Sequence, residues 1–355
     1  MSPNGDGTAW AQAPASSANL GSGFDCMAIA LRGMEVQVWL TPAEGAGKPD
    51  QWKVPAEAVE WDISVTGKEV QGIPLTGDNL VAQAVRAAFA AAGAQHPPAW
   101  HVQIHTDIPP GRGLGSSAAA TSAALGAANL WLGAMGRSLT PHHVLQLAAR
   151  LEGHADNVAA ALMGGVTLVW NEAHDEEEPV WRTVSFRPAR PLAAVIAAPH
   201  QSLSTREGRK VLPDEVSRSD AVFNSARTAL LSFALVRGQY HLLGEAMADR
   251  LHQPHRARLM PWLPQVLEAA RAAGAYGASL SGSGPSVLAL CAPSRRVSIA
   301  AALQSAMAQQ GVPARVLTAD LARKGASSRF LNNPVNRSSS RMSTLDPIDA
   351  TGTGD

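Results

Sequence analysis

Two cysteines, Cys26 and Cys291, are all that the 355 residues hold. So small a number excludes a disulfide framework and a cysteine-built zinc site, and it fits a reducing, cytoplasmic setting. An excess of either charge is also lacking. Lysine plus arginine and aspartate plus glutamate each total 29, so nothing marks the chain as a nucleic-acid binder. No stretch of about 18 uncharged apolar residues is present, and no membrane span is expected. The Ala-rich run from 116 to 134 comes nearest, but Ser, Thr, Asn and Gly interrupt it. The N-terminus lacks a basic segment followed by an apolar run, so no secretory leader is expected. No internal repeat is evident. Two local gaps matter more. No lysine stands between Lys68 and Lys210, and no Asp or Glu between Asp107 and Glu152.

Inside both gaps lies Ile108-Pro-Pro-Gly-Arg-Gly-Leu-Gly-Ser-Ser117, followed by the Ala-rich run. Residues from Ala118 onward are strongly helix-forming. A flexible turn feeding a helix N-terminus offers unpaired N–H groups and partial positive charge, which suit a phosphate. Gly111, Gly113 and Gly115 let the backbone come close to phosphate oxygens. Ser116 or Ser117 can cap the helix or ligate a metal. The lysine gap removes the P-loop, which needs Gly-Lys-Ser/Thr after its glycines. Gly113-Leu-Gly115-Ser-Ser-Ala118 loosely matches the dinucleotide fingerprint, but that fingerprint wants an acidic residue about 20 positions on, where the acidic gap lies. By itself the loop reads more readily as a glycine turn ahead of a buried helix than as a phosphate site.

The length is natural for two domains, and 46% hydrophobic against 16% charged residues supplies a sizeable core. Strands are expected at Ala9–Ala13, Met34–Leu40, Trp61–Thr66 and Trp100–Thr106, with a loop over 41–60. Asp78-Asn79 opens a helix to about Ala92, and Thr140-Pro141 starts one ending near Glu152. Beyond Gly164-Gly165, strands are expected at 166–170, 192–197, 276–280, 286–291 and 314–318. Helices are expected at 218–237, 240–251, 262–273 and 298–310. The acidic run Asp175–Glu178 reads as a solvated hairpin loop. Ser204-x-x-Glu207 is a capping-box pattern.

Two further segments flank the glycine loop: Pro14-Ala-Ser-Ser-Ala-Asn-Leu-Gly-Ser-Gly-Phe-Asp25 before it, and Gly277-Ala-Ser-Leu-Ser-Gly-Ser-Gly-Pro-Ser286 after it. Over roughly residues 9 to 320, the three together resemble the signature motifs of the GHMP small-molecule kinases. Pro-x-x-x-Gly-Leu-Gly-Ser-Ser is similar to that family's phosphate loop. Ser-Ala-Asn-Leu-Gly-x-Gly-Phe-Asp is similar to the first motif of its homoserine-phosphorylating branch. The resemblance implies an α+β, two-domain fold: an N-terminal ribosomal-protein-like α/β domain for ATP over 1–165 and a C-terminal ferredoxin-like α/β domain over 166–325. Residues 326–355, rich in Ser, Asn, Thr, Asp and Gly, read as a disordered tail. The implied reaction is transfer of a phosphoryl group from ATP, with Mg2+, to L-homoserine in threonine biosynthesis. The alternatives are another small alcohol such as mevalonate or shikimate, or a non-catalytic ligand sensor on the same fold. A homodimer is compatible with the sequence.

The resemblance also implies residue roles. Asn79, Pro109, Gly111, Arg112, Gly113, Leu114, Gly115, Ser116 and Ser117 would hold the nucleotide. Ser116 or Ser117 with Glu152 would hold magnesium, which needs only one or two protein oxygens. Asn157 would lie near the acceptor hydroxyl and His154 near the amino acid. An Asp acts as base hereabouts in some members, but Asp156 is not assigned that role; Asn157, Glu152 and Arg256 are the expected catalytic set. Thr205-Arg-Glu-Gly-Arg209 and Gln253-Pro-His-Arg256 are similar to segments in which arginine meets the substrate carboxylate, a task its planar fork suits. Asn19 and Asp25 would serve the ammonium, with Thr205 and Gly284 lining the acceptor side. Each residue alone has a plainer reading: Asn79, Asp156 and Asn157 as helix caps, Asn19 and Asp25 as turn formers, the arginines as surface residues, the third motif as a tight hairpin. His252 and His255 raise a metal pair for which no third ligand is evident.

Overall fold

A computed structural model of the chain describes residues 7–173 and 178–331. The acidic run expected as a loop, apart from Glu178, and the tail from residue 332 lie outside the described residues. Strand β1 (Thr8–Asn19) alternates inward-facing Ala9, Ala11, Ala13 and Ala15 with more exposed partners, and pairs antiparallel with the 20-residue β2 (Gly23–Pro42). Next come β3 (Glu60–Gly67), α1 (Leu80–Ala91) and β4 (Ala99–Thr106); β3 and β4 run parallel, joined by the helical crossover that parallel pairing requires. Helices α2 (Ser116–Ala134), α3 (Pro141–Glu152) and α4 (Asp156–Met163) follow. Small side chains let α2 sit close on β1: a Cβ built on Gly126 would come within 3.4 Å of the Ala11 Cβ. Trp52, Phe89, Trp100 and Trp131 pack together beneath, and the Trp131 indole donates to the Leu40 carbonyl at 3.1 Å.

Strands β5 (Val166–Asn171) and β6 (Trp181–Phe186) do not open the second unit, as a boundary at 165/166 expects. They join the first sheet. The reason lies in β2, which outruns its neighbour: β4 covers Val36–Pro42, leaving Met27–Ile29 to pair with β5. The second unit then runs through β7 (Ala193–Pro199), α5 (Thr205–Lys210), α6 (Arg218–Arg237), α7 (Leu243–Ala246), α8 (Gln253–Arg256), α9 (Leu263–Ala272), β8 (Gly277–Leu280), β9 (Val287–Cys291), α10 (Arg296–Gln309) and β10 (Ala314–Asp320). Its strands form an antiparallel sheet of order β10-β7-β9-β8, a ferredoxin-like arrangement packed against α9 and α10. The helix expected over 240–251 stops at Ala246, because the Asp249 carboxylate instead caps the amides of Leu251, His252 and Gln253.

The chain then returns. Strand β11 (Ser327–Leu331) pairs with β1, with Thr8 opposite Leu331, and Phe330 sets its ring against Trp131. These five residues were expected in a disordered tail; polar composition hid a strand whose Phe330 has a place in the aromatic cluster.

Candidate active site

The three motifs converge where the two units meet, around a cleft of about 420 Å³. A larger cleft of about 830 Å³, lined by Arg32, Arg190 and Asp320 among others, contains no residue of the glycine loop. The loop ends in Gly115, which caps α2 with φ near 66°. Two of its glycines are required by contact as well as by conformation. A Cβ on Gly113 would overlap the Ser281 carbonyl oxygen, and one on Gly115 would overlap the Ser16 hydroxyl. Hydrogen bonds hold that closeness: Ser281 Oγ donates to the Gly113 carbonyl at 2.6 Å, and the Ser16 amide donates to the Leu114 carbonyl at 3.1 Å. With the Ser281 proton committed to Gly113, Ser17 is the donor in the 2.7 Å Ser17–Ser281 bond. The first motif, the loop and the third motif are thus one knot of backbone.

Arg112, Gly111, Gly113, Leu114, Gly115, Ser116 and Ser117 line the cleft, and so does Asn79. Asn79 makes the expected cap, accepting from the Val81 amide at 2.9 Å, and its Nδ2 also donates to the Pro74 carbonyl at 2.6 Å, fixing the preceding turn. Pro109 is buried behind the loop, and Pro110 takes the lining position. Arg112 links Glu69 (3.1 Å) to the carbonyl of His200 in the second unit.

At the C-terminal end of α3, Glu152 accepts from Ser117 Oγ at 2.6 Å and from Thr121 Oγ1 at 2.9 Å. Ser116 faces away, toward the Ile108 carbonyl at 3.4 Å. Ser117 and Thr121 stand four residues apart, on one face of α2. Thr121 escaped the sequence reading, although that spacing from Ser117 was its signal. No group of three or more His, Cys, Asp or Glu side chains suited to a metal occurs among the described residues. One carboxylate flanked by hydroxyls is a hard-oxygen set that fits magnesium if phosphates and water complete the shell.

Gly153, in the left-handed region, ends α3 and turns the chain to His154. His154 Nδ1 meets Asp156 Oδ1 at 2.8 Å, and Asp156 also accepts from the Asn157 amide. Burial pushes the His154 pKa down, but Asp156 outweighs it and the net direction is up. Burial pushes Asp156 up, but His154 and the Asn157 amide bring it below the usual carboxylate value. Asn157 Oδ1 accepts from Ser16 at 2.9 Å.

On the acceptor side, Arg209 forms a two-pronged pair with Asp25, both distances 2.9 Å, with the two side chains 38% and 37% exposed. Asn19 braces it: its Oδ1 accepts from the Asp25 amide at 3.0 Å, and its Nδ2 donates to the Gly282 carbonyl at 2.8 Å. Thr205 lines the cleft at the start of α5. Gly284 and Arg256 do not line it. Arg256 lies one layer deeper, 2% exposed, with Nε donating to the Gly208 carbonyl and Nη1 to the Gly282 carbonyl, both 3.0 Å. Burial pulls its pKa down to about 10, aided by Arg209 and opposed by Asp25. The sequence expectation puts Arg256 on the substrate carboxylate; here its guanidinium is spent on the backbone carbonyls of Gly208 and Gly282, distant in sequence and so invisible in the motif. The His252 ring meets this group, its Nδ1 3.0 Å from Arg256 Nη1.

The model for the GHMP kinases N-terminal domain matches residues 79–165, and that for the GHMP kinases C-terminal domain matches 232–309. The chain is 40% identical over 314 residues to the homoserine kinase of Desulfitobacterium hafniense, covering 88% of this chain and 97% of that one. It is also 40% identical to the homoserine kinase of Moorella thermoacetica, covering 85% and 94%. The crystal structure of homoserine kinase from Cytophaga hutchinsonii superposes with a TM-score of 0.76 at 27% identity, covering 91% of this chain and 97% of that one. Motifs, fold and relatives agree: the chain belongs to the GHMP kinase family, in its homoserine kinase branch.

Proposed function

We propose that this protein transfers the terminal phosphoryl group of ATP to the side-chain hydroxyl of L-homoserine. The observation that carries the reading is the Asp25–Arg209 pair beside the glycine loop. A zwitterionic amino acid offers both charges that the pair needs. Its carboxylate can replace Asp25 in the Arg209 fork, and its ammonium can replace Arg209 on Asp25. An alcohol with one charge, such as mevalonate, leaves one half-buried partner unpaired and is disfavoured for that reason. The first-motif form and the named relatives support the same substrate.

In the reaction, the homoserine oxygen forms a bond to the γ-phosphorus while the bond to the β-phosphate bridging oxygen breaks, releasing ADP. Phosphoryl transfer asks chiefly for positioning and charge neutralisation. The glycine loop and the α2 N-terminus supply amides for the phosphates. Glu152 with Ser117, the one of the two candidate serines that faces it, would hold magnesium, which neutralises phosphate charge when bound. Asn157, fixed by Ser16, orients the acceptor hydroxyl but has no lone pair basic enough to take its proton. Asp156 is engaged with His154, so the hydroxyl proton is left to pass to a phosphoryl oxygen as charge develops. An ADP-release assay across homoserine, mevalonate and shikimate tests the substrate. Turnover of homoserine alone supports the reading; preference for either other alcohol overturns it.

A further inference from the structure

His252 is completely buried, and its ring lies on Phe24 with centroids 5.1 Å apart. Its Nδ1 is 3.0 Å from Arg256 Nη1, and its Nε2 is 2.9 Å from the Gly21 carbonyl oxygen. A guanidinium only donates and a carbonyl only accepts, so the geometry fixes the ring as neutral, with its proton on Nε2. The contacts of Arg256 then radiate to Gly208, next to Arg209, and to Gly282, whose carbonyl Asn19 also holds. Asn19 braces Asp25, and Asp25 closes on Arg209. The result is a ring of hydrogen bonds, closed through the Gly208–Arg209 peptide link, beneath the acceptor side of the cleft and anchored to the first motif by His252.

We propose that His252 is a positioning residue for the acceptor: by accepting from Arg256 while donating to Gly21, it sets the register between the first motif, α5 and the third motif, and so aims the Asp25–Arg209 pair. The inference rests on the reading that this pair receives the amino-acid acceptor. Asp249 supports it from behind, its carboxylate capping the amides of residues 251 to 253 and lying 3.5 Å from His252 Nε2.

The test separates the two nitrogens. H252Q places a donor near the Nε2 position and removes the acceptor for Arg256; H252N keeps an acceptor near Nδ1 and gives up Gly21. We expect H252Q to raise the acceptor KM about tenfold or more, the scale of a hydrogen bond to a charged group, with little change in the ATP KM. H252N should recover most of that loss. In an R256K background, H252Q should add little, since the two act as one unit. Equal changes in both Michaelis constants, an unchanged acceptor KM, or full additivity with R256K overturns the proposal. Long-range 15N spectra of the wild-type imidazoles give an arm that needs no variant: a charged or Nδ1-protonated His252 at pH 7 overturns it as well. The wild-type alcohol panel is read separately. Should it reject homoserine, the proposed substrate fails, while the H252Q to wild-type ratio on the alcohol actually used still decides the role of His252.

Discussion

Arg209 and Asp25 sit about one-third exposed, so their pair contributes little to stability; its proposed worth is in recognition. Arg209→Lys keeps the charge and loses the fork. The homoserine KM should rise about ten- to a hundredfold and the ATP KM should hardly move, read in initial-rate assays with each substrate varied. Glu152→Gln preserves shape and removes the carboxylate beside Ser117 and Thr121. Turnover should drop by roughly a hundredfold or more, with partial recovery at raised magnesium; wild-type turnover at limiting magnesium would assign the metal elsewhere. His154 and Asp156 make a prediction about protons. Since the His154 pKa lies above its ordinary 6.5, its protonated form stabilises the fold fully below about pH 6.5, and that contribution is lost as pH rises through the folded value. Asp156, held below 3.8, contributes above that value and loses its part as pH falls through its own. Asp156→Asn leaves burial to dominate, so the NMR titration midpoint of His154 should move below that of the wild type. An unmoved midpoint means that another group holds the proton.

At the scale of elements, what was legible followed from local physics. The Thr140-Pro141 cap, the Ser204–Glu207 capping box and the α6 span appear where the sequence puts them, because side chains within a turn decide them. The glycine loop was equally readable, its reasons for glycine less so: the Ser281 and Ser16 neighbours that exclude a Cβ lie far away in sequence. For the same cause, Arg256 read as a carboxylate clamp when it is a buried brace of backbone carbonyls, and β11 read as a loose tail. Ending the chain at Lys324 removes β11 with the Phe330–Trp131 contact. A melting scan should show a loss of about 1.5–3 °C, as expected for one or two kcal/mol in a chain of this size. Kinase activity should persist, because β11 pairs with Thr8–Gln12 and the first motif lies at the other end of β1. An unchanged melting temperature would show that the strand adds nothing to stability.

At the scale of the whole molecule, the two sheets were foreseeable in kind, while the division of the chain between them was not. A break at 165/166 looked natural from Gly164-Gly165, yet sheet membership depends on which edge is open, and only the excess length of β2 opens one for β5. The ferredoxin-like unit is therefore spliced into the first unit, leaving it after β6 and returning at β11. Thr8 and Leu331 end up as direct ladder partners. A chain whose two described ends are neighbours is, in topological terms, nearly a ring. Joining residue 331 to residue 8 through a short glycine-rich turn, and cutting instead in the exposed stretch around Glu44–Lys48, gives a circular permutant that keeps every strand pairing. It should fold and phosphorylate the same alcohol with Michaelis constants within a few-fold of the parent, measured side by side. Failure to fold would mean that this order of synthesis, and not the final set of contacts alone, is needed to reach the native state.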